Sequence, residues 1–551
     1  MKDALEALIT AVSTAVAGRV SLPGVLTNFF ESRGGHSLIL KGPAGTGKTT
    51  LALQIVETMA RTERTQYISS RVSDVALYAQ FPWLAEKNRQ RNLLMASMGF
   101  LKVLHPKTCG GVQTKLPEAL LLAAEKLLMV FNQAETSESA LGREELRKLE
   151  GQIEAGEADE SAEEARGSGT FSGDSITFDV GSDLPEIEVA YDTVEAAQPG
   201  KALIVFDSID ALAEKYGISK TRLVNTIQKD VVESGRANVV YVLESHGPTA
   251  LDYLGDGVIS LSTGEHAGRR VRTMKIEKLR GRAIPHPNLN YTLLDGRIRI
   301  FEPQRFGEVK TAAHEGRRSP VPDPDGQTVS MGDRDMDALF GGLSKGSVNL
   351  VEVGPGIPAE VSSLLAAMIV ANFVGQGRGV AHLPGGRGNG FTVRDSFTRH
   401  MGLEEFYEHV RVFEMNIIGG EDRLQNVLLV EGAQMDTDFR WDNIEYNLPA
   451  SKKPMLSLLA LDMLERIYGP AWYDGMNSHL FSVRRAEGVF VGMTSGGRSP
   501  EILLASSSVH IRLERVGGSV VMYGEKPYTT LHEVVLDSSD GSPRLKFVPI
   551  M

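Results

Sequence analysis

Ser37-Leu38-Ile39-Leu40 leads through Lys41 into Gly42-Pro43-Ala44-Gly45-Thr46-Gly47-Lys48-Thr49-Thr50, an apolar run followed by the pattern G-x-x-x-x-G-K-[ST] without substitution. Strand, glycine-rich turn and helix in that order form a phosphate-binding loop. Glycines allow consecutive backbone N–H groups to turn toward a β-phosphate, Lys48 neutralises β/γ oxygens, and the Thr49 hydroxyl is a ligand for Mg²⁺. The helix expected from about Thr49 to Ala60 presents its positive N-terminus to the same phosphates. Residues 42–50 are therefore the expected nucleoside triphosphate site.

Downstream, Gln66-Tyr67-Ile68-Ser69 reads as a second strand, and Lys201-Ala202-Leu203-Ile204-Val205-Phe206-Asp207 as a fully buried strand ending in a carboxylate. Asn238–Leu243 and Gly257–Leu261 continue the pattern of strands alternating with helices, which predicts an α/β fold with a largely parallel sheet covered on both faces. Asp3–Val16 spaces Leu5, Leu8, Ile9, Val12 and Val16 as an amphipathic helix, to pack on the core or against a neighbouring subunit. About 135–173 reads as an acidic insertion: residues 135–165 carry eleven acidic and three basic side chains. Glu302–Ser330, rich in Pro, Gly, Arg and Asp, reads as an interdomain linker.

The region after this linker repeats the plan of the first. Gly346–Val353 is a strand, and Gly354-Pro355-Gly356 stands where the first half has Gly42-Pro43-Ala44. Aligning Leu364 with Leu51 brings Glu360 or Val361 to the place of Lys48. A carboxylate repels a triphosphate and valine offers it nothing, so the second copy is expected to be degenerate. Leu456–Asp462 parallels the run ending at Asp207; Asp462 is a candidate Mg²⁺ holder, but without the lysine it reads rather as a helix-start residue. Glu487–Thr494 and Ser519–Tyr523 read as later strands, and Gly385–Gly390 as a surface loop.

These motifs, together with Leu203–Ser208, Leu243-Glu244-Ser245, Lys278-Leu279-Arg280-Gly281 and Met336–Gly346, are similar to the KaiC-like branch of the RecA superfamily. The closer resemblance is to its archaeal, GvpD-like, tandem-domain ATPases. It implies two tandem RecA-like P-loop domains, the first (1–302) competent for ATP and Mg²⁺, the second (331–551) degenerate, with 303–330 between them. By resemblance, Asp207 is the Walker B carboxylate that holds the Mg²⁺ shell together with Thr49. Lys278 and Arg280 correspond to residues that reach the nucleotide of an adjacent subunit, which implies a homo-oligomer, a hexamer or a dimer. Such proteins usually place a water-orienting glutamate just after the second strand. Here Ser69-Ser70 stands in its place, so turnover is expected to be slow or to depend on Glu244 or Asp210.

Composition narrows the remaining readings. Hydrophobic residues make up 42 % and charged residues 23 % of 551, as in a globular chain of two or more domains. No segment approaches the ~18 uninterrupted apolar residues of a transmembrane helix, and no basic region precedes a long apolar one at the N-terminus. A cytoplasmic location without membrane contact is expected. The single cysteine, Cys109, fits a reducing compartment, and His105 with Cys109 is too small a ligand set for zinc. A net charge of −12 disfavours nucleic acid as the main partner. The leading expectation is an ATP-binding oligomeric switch with one site per chain, slow turnover and a regulatory protein partner. The alternatives are a RecA-class accessory ATPase of DNA recombination or repair, and a nucleotide-stabilised scaffold without turnover.

Overall fold

The computed structural model describes residues 22–84 except 71 and 73, 94–96, 184–304 except 246, 306, 319–415 except 387, 423–538 except 471, and 543–551. The N-terminal helix, the acidic insertion, His105 and Cys109 lie outside the described residues. Residues 1–98 and 185–551 form one compact unit, which carries everything described below except Leu184.

Its first half is a nine-stranded sheet made of β1 (Ser37–Lys41), β2 (Arg64–Ser69), β3 (Leu94–Ala96), β4 (Ala202–Asp207), β5 (Ala237–Leu243), β6 (Gly257–His266), β7 (Arg269–Leu279), β8 (Asn288–Thr292) and β9 (Arg299–Phe301). The spatial order is β3-β2-β4-β5-β1-β6-β7-β8-β9. Strands β3 to β6 are parallel, and β6 to β9 continue as an antiparallel meander. The parallel portion follows the expectation. The meander adds to it, because Gly257–Leu261 runs on to His266 and then turns back. The central strands are buried on both faces, which explains their nearly continuous apolar sequences. Over them lies the helix Lys48–Met59, which sets Leu51, Leu53, Ile55 and Val56 against Leu38, Leu40, Leu203, Val205, Val240 and Val242.

The second half repeats this plan. It contains β10 (Thr328–Val329), β11 (Leu343–Ser344), β12 (Val348–Val353), β13 (Arg378–Leu383), β14 (Val410–Met415), β15 (Val427–Val430), β16 (Lys452–Ala460), β17 (Val489–Ser495), β18 (Ser507–Val516), β19 (Ser519–Lys526), β20 (His532–Asp537) and β21 (Arg544–Pro549). Its ten-stranded sheet has the order β15-β14-β13-β16-β17-β12-β18-β19-β20-β21, that of the first sheet with one strand added at the edge. The helix Ala359–Gly375 covers it through Leu365, Ile369 and Phe373, as Lys48–Met59 covers the first. The fold is thus α/β with two P-loop-like domains. Part of the Pro-rich segment is anchored to the second half: Val321 N–H donates to Asn372 Oδ1 at 2.7 Å, and Asp323 pairs with Arg378.

The antiparallel strands of the two halves meet in a shared apolar cluster of Val271 and Phe301 with Val521, Tyr523, Leu531, Val548 and Ile550. Arg269, 3 % exposed, enters the second half with its guanidinium 4.3 Å from the Tyr523 ring and 4.1 Å from that of Tyr528. It donates to Gly524 O at 2.7 Å and Thr529 O at 2.8 Å. Nearby, Asn290 of β8 donates to Glu533 of β20 at 3.3 Å. Burial pushes the Glu533 carboxyl up to about 8, so the folded chain holds a neutral acid there.

Two measurements follow from this junction. Arg269→Ala strands the Thr529 carbonyl, leaves Gly524 O with only the Thr529 N–H as donor and removes both ring contacts, so it should lower the stability measured by guanidinium denaturation by more than about 2 kcal/mol. Glu533 takes up a proton on folding that the unfolded carboxyl, ionising near ~4.3, does not hold. Its contribution is therefore present at acidic pH and is lost as pH rises toward about 8. The denaturation midpoint should fall with pH across that window in the parent, and Glu533→Gln should flatten the slope.

Candidate functional site

Strand β1 delivers the chain to the loop at the C-terminal edge of the sheet. Its last residue, Lys41, is buried, and its Nζ is paired with Asp252 at 2.7 Å and Glu277 at 3.3 Å. The loop then requires glycine at two places for steric reasons. At Gly42, with φ 153°, a Cβ would stand 2.4 Å from Leu261 O; at Gly47, with φ 91°, it would stand 2.8 Å from Leu293 Cδ2. Gly47 is also the residue before the helix, which starts at Lys48 rather than Thr49.

Inside the loop, Lys48 Nζ donates to Pro43 O at 2.8 Å, and Thr46 Oγ1 donates to the same oxygen at 2.8 Å. Lys48 is 7 % exposed, a costly position for an ammonium unless anionic groups are to meet it. Ala44 and Gly45 are exposed at the tip, and Thr50 is buried one residue beyond Thr49. Thr49 Oγ1 donates to Asp207 Oδ2 at 2.7 Å, joining the start of the helix to the end of β4. A hydroxyl and a carboxylate so placed beside a phosphate loop fit a Mg²⁺ whose remaining ligands are phosphate and water oxygens.

Asp207 is fixed from β2. Tyr67 donates its hydroxyl to Asp207 Oδ2 at 2.5 Å. Burial, and then the charge of Asp207, push the Tyr67 phenol well above its usual value, so it stays protonated as a donor. Ser70 N–H donates to Asp207 O at 2.8 Å, and Ser70 Oγ accepts from Ser208 N–H at 2.8 Å. Ser69 Oγ accepts from Val72 N–H at 3.0 Å. The two serines in the expected place of a glutamate therefore hold main chain, and their hydroxyls are committed to it.

Glu244 follows directly on β5, between β1 and β4, at the same edge of the sheet as the loop. It is exposed, and its N–H donates to Asp210 Oδ2 at 2.7 Å. Asp210 is also paired with Lys220, and Glu244 is the more exposed of the two carboxylates. Lys278 and Arg280 stand elsewhere in their own chain. Leu279 is in register with Gly257 and, through it, with Leu38, at the end of β1 away from the loop. Lys278 Nζ donates to Gly255 O at 2.6 Å. Arg280 pairs with Asp256 at 2.6 Å while its side chain remains 65 % exposed. Neither joins Lys48, Thr49 and Asp207 within the chain.

Two further residues touch the loop from β7 and β8, and the sequence carries no signal for either. Arg272 Nη1 donates to Gly45 O at 3.0 Å, and Tyr291 OH donates to Thr46 O at 2.6 Å. Tyr67 was more accessible to sequence reading, since period-two alternation puts it on the face of Ser69, beside the end of β4.

The second half lacks this chemistry. Its loop, Gly354–Pro358, leads into a helix in which Glu360 is exposed and Val361 fully buried. Asp207 closes its strand, whereas Asp462 lies two residues past the end of β16 in the helix Leu461–Tyr468. Burial raises its carboxyl, and its Oδ1 has no hydrogen-bond partner among the described residues. Asn389 in the glycine-rich segment caps the helix Gly390–Phe397, a local structural role.

Residues 26–98 and 153–277 match the family described as GvpD gas vesicle protein, P-loop domain. Protein GvpD2 of Halobacterium salinarum is 24 % identical over 64 % of this chain and 74 % of its own length. Protein GvpD1 of the same organism is 21 % identical over 97 % of both chains. The P-loop match spans the strands and loop that assemble Lys48, Thr49 and Asp207, and the similarity to GvpD1 extends through the second half. The chain is thus similar to the GvpD proteins, and its first half matches their P-loop domain, a domain of the nucleotide-binding ATPase type.

Proposed function

We propose that this chain is an ATP-operated switch with one Mg-ATP site, in its first half, and slow hydrolysis. The observation that carries the reading is the Lys48, Thr49 and Asp207 arrangement in the first half, set beside a second loop without a lysine. Residues 42–50 would bind the triphosphate, with Lys48 released from Pro43 O to meet β/γ oxygens. Thr49 and Asp207 would hold Mg²⁺, which when bound neutralises charge building on the phosphoryl oxygens. Glu244 is the carboxylate best placed to orient a water, and no second carboxylate at Ser69-Ser70 assists it, which supports slow turnover.

The exposed Arg280, with Lys278, would reach the nucleotide of a neighbouring copy, so the active form would be a homo-oligomer. The second half would pass the nucleotide state to a protein partner. Similarity to proteins described as gas vesicle proteins supports a role connected with gas vesicles.

Calorimetry on the full chain should find one Mg-ATP per protomer, and Lys48→Ala should weaken binding at least ~100-fold; two equivalent sites would refute the reading. Glu244→Gln should reduce phosphate release about 100-fold or more while leaving Mg-ATP affinity within a few-fold. Sedimentation with and without Mg-ATP tests the assembly, which should grow on binding and fail to grow in Arg280→Ala.

A further inference from the structure

Arg272 has one nitrogen on the phosphate loop and another on the second half of the chain. Its Nη1 donates to Gly45 O, and its Nε donates to the main-chain oxygen of Met551. The guanidinium is rigid and planar, so the two contacts cannot move independently. Tyr291 holds the next carbonyl of the loop, that of Thr46.

In a planar trans peptide the C=O and the following N–H point in opposite directions. Drawing Gly45 O toward Arg272 turns the Thr46 N–H away from β7. Drawing Thr46 O toward Tyr291 does the same for the Gly47 N–H. These are two of the main-chain donors that such a loop offers to phosphate. Arg272 and Tyr291 therefore orient donors they do not themselves supply.

Met551 is in turn seated by the junction between the halves. Its N–H donates to Thr292 Oγ1 at 3.1 Å, and its oxygen also accepts from Leu293 N–H at 3.4 Å. The preceding Ile550 is 2 % exposed in the shared apolar cluster, and its N–H donates to Leu531 O at 2.8 Å.

We infer that Arg272 is a positioning residue for the phosphate loop, and that the segment 549–551 of the second half sets nucleotide affinity in the first through it. This inference rests on the nucleotide reading of the loop. The route is reciprocal by thermodynamic linkage: nucleotide that tightens the loop also tightens the seat of residues 549–551.

The test is a double-mutant cycle on the full chain, with Mg-ATP as the titrant in calorimetry and far-ultraviolet circular dichroism as the check on folding. Arg272→Ala should weaken binding roughly tenfold and Tyr291→Phe roughly threefold, as expected for lost hydrogen bonds to loop carbonyls. Ile550→Ala should weaken binding a few-fold in the parent and have no further effect in the Arg272→Ala background. Amide exchange at residues 45–47 should quicken in Ile550→Ala without nucleotide. Additive effects of the two substitutions, or unchanged affinity in Ile550→Ala and Tyr291→Phe, would overturn the inference. If Arg272→Ala does not fold, those two milder variants and the exchange measurement decide it. A parent chain that binds no Mg-ATP overturns the nucleotide reading itself, whereas a binding parent with unaffected variants overturns only this step.

Discussion

The hydrogen bond from Thr49 to Asp207 joins residues 158 positions apart, and the chemistry of the first half depends on it. A Mg²⁺ shell needs its carboxylate beside the phosphate loop, yet β5 lies between the strand that ends in Asp207 and the strand that precedes the loop. Register resolves this. Leu40 is level with Val242, and Val242 with Asp207, so the carboxylate emerges at the same edge as the loop. Both strands are apolar and buried, which leaves little freedom for slippage: a shift of one residue would turn Asp207 to the opposite face. Tyr67 on the neighbouring strand and Ser70 just past its end then fix the carboxylate and its main chain.

The second half shows how little of this chemistry the fold itself requires. Its sheet has the same strand order with one strand added, a long covering helix and a glycine-containing loop. What it lacks is the lysine and the strand-ending carboxylate; Ser362, which the alignment sets against Thr49, donates its hydroxyl to Ala359 O instead. Architecture and chemistry separate cleanly here, in agreement with the principle that function resides in sites placed upon folds.

The loop, the strand ending in Asp207 and the duplication were legible because each is a local pattern. A buried parallel strand shows as an apolar run, and a phosphate loop as a fixed spacing. Asp462 was correctly read as a helix-start residue because the run before it ends at a helix. The contacts of Arg272, Tyr291 and Arg269 were not legible, since each joins strands distant in sequence and none has a spacing that marks it. The sequence Arg269-Arg270-Val271-Arg272 looks like a basic surface hairpin, yet two of its three arginines are buried. The antiparallel meander was hidden for a related reason: a strand run ending at Leu261 is followed by Ser, Thr, Gly and Glu, which resemble a loop until pairing with β7 holds them extended. The departure at Ser69-Ser70 was visible, but the binding of their hydroxyls to main chain emerged only from the fold.

Arg269, lodged between Tyr523 and Tyr528, also bears on how such a protein can change over generations. Each half completes the other's interior, so a gene divided at the Pro-rich segment would encode two products with exposed apolar strands. The half without the phosphate lysine is needed at least for what it packs against. Within its loop at Gly354–Pro358 the fold constrains Gly354 and Gly356 sterically but needs no phosphate ligand, while at Gly524 a Cβ would stand 2.4 Å from Pro527 O. Inheritance would preserve the seam between the copies more strictly than the vestige of the second binding loop.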